Sequence, residues 1–228
     1  MILVGSDANP VQPRTRHLLP NNLRTWATRY FEQEVDGLYA SASLVEQDAN
    51  TVGGAHFHAA DQFQVVVSGS GLYGKMPVHR YSVHFAGAFS PYGPIRTDDQ
   101  DLKWYTLRNG TDPGGIKWMP ACREQLRAGH RSPRVVTGEP EIELQRDGLA
   151  ARRHVLAPGE QLVGLPPSSG RGQYWVVLEG SGNVAGHDLQ ENSLLFATPN
   201  EPALSVRAGD GGLEILSLQF PGSTQLNA

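Results

Sequence analysis

Thiols are almost absent from this chain: Cys122 is the one cysteine among 228 residues. That excludes an intrachain disulfide framework and a thiolate-rich metal site. No stretch approaches the ~18 consecutive apolar residues of a membrane span. The sequence does not open on a basic segment followed by a long apolar run, so a cytoplasmic protein with no membrane partner is expected. Positive charge is not in excess either. Lys and Arg number 19 against 23 Asp and Glu, a net charge of −4, which argues against a nucleic-acid partner. No helix-turn-helix-like segment is evident.

Turn-forming residues are abundant: 26 Gly and 16 Pro, with 39% apolar and 18% charged residues. That mix predicts many short strands joined by turns, an all-β chain long enough for one large domain or two small ones.

The most informative stretch runs from Gly53 to Gly71. His56 and His58 are two residues apart, which on an extended strand places both imidazoles on one face, roughly 6.5–7 Å apart. Two neutral imidazoles aimed into one cavity are a common beginning of a transition-metal site; hydrogen-bonded strand histidines are the alternative. Gln62 can add a side-chain oxygen, and Gln64 shares its face. Phe63-Gln64-Val65-Val66-Val67 reads as a strand, closed by Gly69 and Gly71. Further strands are expected at Leu38–Val45, Tyr81–Phe85 and Lys103–Arg108. Residues 1–20, punctuated by Pro10, Pro13 and Pro20, read as an arm, and 21–34 suits either helix or strand. From Asn109 to Pro140 glycines and prolines break the pattern, apart from a short helix expected over Ala121–Ala128. Strands then return at Glu141–Arg146, Ala150–Leu156, Gln161–Leu165, Tyr174–Leu178, Leu194–Ala197, Leu204–Val206 and Leu213–Phe220.

The second half repeats the first at a shift of 111 positions. Gln62 falls on Gln173, Val65 and Val66 on Val176 and Val177, Gly69 and Gly71 on Gly180 and Gly182, and Gly53 on Gly164. His56 and His58 fall on Pro167 and Ser169, so the second copy should be metal-free, a covering scaffold for the first.

The Gly53–Gly71 stretch resembles the first motif of the cupin superfamily, in which a Gly precedes His-x-His, a Glu and a later Gly. His56, His58 and Gly69 are in register; Gln62 stands where Glu is usual, and the opening Gly is displaced to Gly53 or Gly54. Pro91-Tyr92-Gly93 resembles the core of the second motif, but Arg96 occupies the position of its His and Gln100 that of its Asn. Because arginine stays protonated, Arg96 cannot ligate a metal.

The resemblance implies two tandem jelly-roll (RmlC-like) cupin barrels, a bicupin. An arm at 1–37, a first barrel at 38–110, a linker at 111–140 and a second barrel at 141–228 are expected. It implies one divalent transition metal (Fe, Zn, Mn or Ni) held by His56, His58 and Gln62. His84 is the candidate acid–base group or extra ligand; Arg96 would either clamp a substrate carboxylate or pair with nearby aspartates. Gln64, Phe89, Tyr92 and Trp104 are candidate pocket residues. His17, His130, His154 and His187 read as incidental. Two functions remain open. One is a metal enzyme acting on a small oxygenated, carboxylate-bearing molecule, by Lewis-acid isomerase or lyase chemistry or by dioxygenation. The other is a binding bicupin without turnover, which an arginine filling the metal position would favour. Pairing into a homodimer is an expectation from the family alone.

Overall fold

The computed structural model describes residues 1–20, 23–126 and 134–222. Twenty strands run along it. They are β1 Ile2–Gly5, β2 Gln12–Leu18, β3 Arg24–Val35, β4 Leu38–Gln47, β5 Val52–Gly53, β6 His56–Phe57 and β7 Gln62–Ser68. Next come β8 Gly71–Tyr73, β9 Met76–Val78, β10 Val83–Ala86, β11 Ile95–Thr97, β12 Leu102–Arg108, β13 Lys117–Trp118 and β14 Val135–Gly138. The last six are β15 Ala150–Leu156, β16 Gln161–Val163, β17 Gln173–Val184, β18 His187–Gln190, β19 Leu194–Ala197 and β20 Ser205–Gln219. The all-β, two-barrel architecture expected from the sequence is the one observed.

Two compact units divide the chain. One gathers residues 1–10, 30–40 and the described residues from Pro140 on; the other gathers 11–29 and 41–139. The second of these contains the His-x-His motif and is called the first barrel. Its main sheet runs β14-β10-β7-β12-β4-β3-β2, beside a smaller sheet β5-β11-β8-β9 and the pair β13-β6. The other unit, the second barrel, is built on a sheet of order β1-β19-β17-β20-β15, with β16 on β20 and β18 on β17.

Residues 1–37 are therefore not an arm. β1 is an antiparallel neighbour of β19, from Ile2 opposite Ala197 to Gly5 opposite Leu194, and the ambiguous 21–34 stretch holds strand β3. The prolines that suggested a loop are tolerated because β2 is an edge strand, with Pro13 inside a register shift between Gln12 and Thr15. The 111–140 segment is not a bare linker either. Lys117 and Trp118 pair with Phe57 and His56, and β14 pairs with β10, placing Thr137 opposite His84. These strands are two and four residues long, too short to show a period. The helix expected over Ala121–Ala128 is a single 3-10 turn at Arg123–Gln125, and its last two residues lie outside the described chain. The Glu141–Arg146 strand does not form; Ile142 alone bridges to Ala151.

The internal repeat holds in three dimensions. Val65 pairs with Val83 as Val176 pairs with Leu194, and Val66 with Trp104 as Val177 with Ile215. Gly69 and Gly180 both take a positive φ, +81° and +77°, and a Cβ there would strike the carbonyl of Asp101 or of Gly212. These carbonyls are again 111 residues apart, as are those of Arg96 and Arg207, which Gly71 and Gly182 approach. No side chain fits at such a crossing.

The interiors differ. The second barrel is filled by an apolar cluster that includes Trp175, Val177, Val184, Leu195, Val206 and Ile215. In the first barrel, tyrosine, tryptophan and histidine replace much of that aliphatic filling.

Candidate functional site

A cavity of about 260 Å³ opens in the first barrel. His56, His58, Gln62, Gln64, Tyr92, Trp104 and Arg108 line it, with Trp26, Trp118 and aliphatic side chains forming the walls. The polar groups come from few elements. His56 leads β6, and Gln62 and Gln64 project inward from β7 at the two-residue strand period. Arg108, the last residue of β12, sits opposite Gln62.

The hydrogen bonds fix where the protons lie. His56 Nδ1 is 2.9 Å from the Gly54 carbonyl, which can only accept, so Nδ1 carries the hydrogen. Burial lowers the His56 pKa, and the neutral ring turns its Nε2 lone pair to the Tyr92 hydroxyl, which donates to it over 2.9 Å. The same phenol oxygen accepts from Gln62 Nε2 at 2.6 Å. Desolvation pushes the Tyr92 pKa up to about 12, so the phenol keeps its proton.

His58 is held differently. Its Nδ1–H donates to Asp112 Oδ2 over 2.6 Å, and the other Asp112 oxygen accepts from the Ala59 amide at 2.8 Å. Burial, the largest influence, lowers the imidazole to about 4 against the opposing pull of Asp112. The Asp112 carboxyl drops to about 2, because hydrogen bonding and charge from His58 outweigh its desolvation. The ring is neutral near pH 7, with Nε2 as its lone-pair nitrogen. Arg108 Nη2 lies against the His58 ring, 3.2 Å from Nδ1 and 3.4 Å from Nε2, and donates to Gln62 Oε1 at 3.1 Å, joined by Arg108 Nε at 3.2 Å.

The three residues assigned to a metal do converge, but their donors are engaged. The His56 and His58 rings meet edge to face with centroids 5.4 Å apart. The Gln62 oxygen accepts from Arg108 and its nitrogen donates to Tyr92. A guanidinium, a permanent cation, reaches two of the three would-be ligands. Among the described residues, no group of three His, Cys, Asp or Glu side chains is arranged to hold an ion. The donor set as arranged does not fit a resident divalent metal; only the two imidazole Nε2 atoms suit one.

Other expected site residues lie elsewhere. Arg96 does not reach the cavity: β11 turns Ile95 inward and Arg96 out to solvent by simple alternation. Phe89 is not in the lining and packs on Phe57. His84 is buried beneath the cavity without lining it, its Nδ1 2.6 Å from Thr137 Oγ1. His17, expected to be incidental, lines the rim, as does Arg29; His130 lies outside the described residues. The sequence reading missed Arg108, Asp112 and Trp118. A signal for Arg108 existed: the 111-residue shift carries Gln62 and Arg108 to Gln173 and Gln219, which are bonded to each other in the second barrel at 2.9 Å.

No family model matches the chain, and no curated protein sequence matches it. Solved structures do. A Nostoc punctiforme protein provisionally described as a dioxygenase aligns over 99% of this chain and 85% of its own, with a TM-score of 0.66 and 13% identity. The bacterial pirin YhhW from Escherichia coli, in complex with nickel(II), aligns over 97% and 100%, with a TM-score of 0.61 and 17% identity. Cocosin, a coconut allergen, aligns over 97% and 85%, with a TM-score of 0.61 and 11% identity. With the duplicated strand registers, these likenesses show the fold: two tandem jelly-roll barrels of the cupin kind.

Proposed function

We propose that the first barrel binds a small oxygenated anion, a carboxylate being the simplest, through Arg108 and without a resident metal. The observation that carries this reading is the charge of the lining. Its charged members are Arg29 and Arg108, with no carboxylate among them, in a chain whose net charge is −4. Arg108 donates to the neutral Gln62 Oε1, lies against the neutral His58 ring, and is 3.8 Å from Asp112. Its guanidinium lines the cavity, and a bidentate carboxylate is the natural complement of such a fork. Indole and aliphatic walls suit an apolar body on the ligand.

The same groups support proton transfer of the isomerase or lyase kind. His58 Nε2, backed by Asp112 on Nδ1, can take a proton from the bound molecule once the anion has drawn Arg108 off the ring, and the Tyr92 O–H can turn from His56 Nε2 to a developing oxyanion. The test is calorimetric titration with a panel of aliphatic and aromatic monocarboxylates, before and after dialysis against a chelator. Binding that survives dialysis and weakens ~10- to 100-fold in Arg108→Met supports the reading. Undiminished affinity in that variant overturns it.

A second reading rests on the tautomers. Both imidazoles present Nε2, with Nδ1–H held by a carbonyl or a carboxylate, as metal-ligating histidines commonly do. Nickel-bound pirin shares the fold, and a divalent ion entering here would have to displace Arg108 from Gln62 and His58. Stoichiometric metal in purified protein, lost in His56→Ala together with ligand binding, would favour this reading over the first.

A further inference from the structure

Among the described residues, four buried polar atoms of the first barrel have no hydrogen-bond partner: Gln64 Oε1, Tyr73 OH, His84 Nε2 and Trp104 Nε1. None of the four residues is more than 5% exposed, and they are neighbours. Gln64 faces His84 across β7 and β10. The Tyr73 ring lies 5.0 Å from His84 and 6.2 Å from Trp104, centroid to centroid. Tyr92, part of the cavity floor, packs 4.9 Å from His84. Gln64 and Trp104 also line the cavity, whereas Tyr73 and His84 lie beneath it.

The second barrel shows that the fold does not require this polarity. At the corresponding positions it carries Trp175, Val184, Leu195 and Ile215, all fully buried in its apolar cluster. The registers coincide: Gln64 pairs with His84 and Thr106 as Trp175 pairs with Leu195 and Ser217, and Tyr73 with Ile95 as Val184 with Val206. The frame accepts an apolar filling, yet the first barrel keeps four polar groups there. Unpartnered, each would cost more than a hydrogen bond returns, which is why buried polar atoms nearly always have partners.

Their chemistry is complementary. Trp104 Nε1–H can only donate, and Tyr73 O–H is free to donate. Gln64 Oε1 accepts, and His84 Nε2 accepts when Nδ1–H donates to Thr137. Two donors and two acceptors on neighbouring side chains are the complement of a water molecule, and three of them satisfy an alcohol.

We infer that Gln64, Tyr73, His84 and Trp104 enclose a second site in the first barrel, beneath the cavity floor, that takes one hydroxyl group. The occupant is a resident water or the hydroxyl of a small alcohol. This site uses none of Arg108, His58 and Asp112 and does not depend on the anion reading.

Proton NMR on the indole 15N-labelled full chain tests it, with Trp104 Nε1–H assigned from Trp104→Phe. A cross-peak from that N–H to a long-lived water, unchanged by methanol, establishes a water site. A cross-peak to the methanol methyl group establishes an alcohol site. Absence of both, or a crystal structure at atomic resolution with no density 2.6–3.2 Å from at least three of the four atoms, overturns the inference. In His84→Leu, which places the second barrel's own residue at that position, the water cross-peak should fall severalfold.

Discussion

Arg108 holds the candidate site together, touching Gln62 and His58 at once. Its fork is what the geometry uses, so charge alone should not replace it. Arg108→Lys is expected to recover only part of the carboxylate affinity lost in Arg108→Met, leaving it ~10-fold below the native protein; full recovery in calorimetry would reduce the role of the residue to a point charge. Asp112 acts at one remove, fixing the His58 tautomer. Asp112→Asn leaves His58 Nδ1 without its carboxylate acceptor and opens the alternative tautomer, in which Nε2 carries the hydrogen. The histidine 15N shifts should show Nε2 protonated in this variant, and ligand affinity should fall with it. An unchanged tautomer would mean that Asp112 does not position the ring.

At the scale of elements, the tight crossings just past β7 and within β17 are the firmest constraint. Gly69→Ala and Gly180→Ala each combine a positive φ with a carbonyl in the way and should each cost more than ~2 kcal/mol. Gly159→Ala, at φ +73° with nothing within 4 Å, should cost about 1 kcal/mol. Urea denaturation of the three variants checks the ordering. These glycines were legible in the sequence because they recur at a fixed shift, and so were the strands around them. The polar partners were not. Arg96 fits a sequence motif, but strand parity sends it outward beside the inward Ile95. Arg108 reaches the site through its pairing with Gln62, a contact across 46 residues that no local pattern displays. Asp112 and Trp118 lie in a glycine- and proline-rich stretch where the nearest paired strand, β13, is two residues long. β1 and β2 were missed because prolines read as loop signals are compatible with an edge strand.

On the scale of the molecule, the two copies should differ in their response to acid. Burial, its largest influence, pushes the His84 imidazole down to about 3, and His58 falls to about 4. A group whose folded pKa is depressed binds more protons unfolded than folded between the two values. The stability it supports is thus complete above about 6.5 and drains away as pH falls toward 3. For His84 alone this amounts to on the order of a few kcal/mol. Asp112, held near 2, stays ionised across that window. Hydrogen exchange at pH 7 and pH 4.5 should show protection falling at β7 and β10 while β17 and β19 keep theirs, and His84→Leu should flatten the difference. Equal loss in both copies would contradict the assignment of acid sensitivity to the first barrel.

The guanidinium in the cavity lining of the first barrel has a consequence for the living cell under the proposed reading. A cation carried on the polypeptide is delivered by translation itself. It cannot be withheld by iron or zinc starvation, exchanged for a wrong ion, or lost to superoxide. On the anion reading proposed above, a pocket charged in this way would need no nutrient metal and would be indifferent to an oxidative burst.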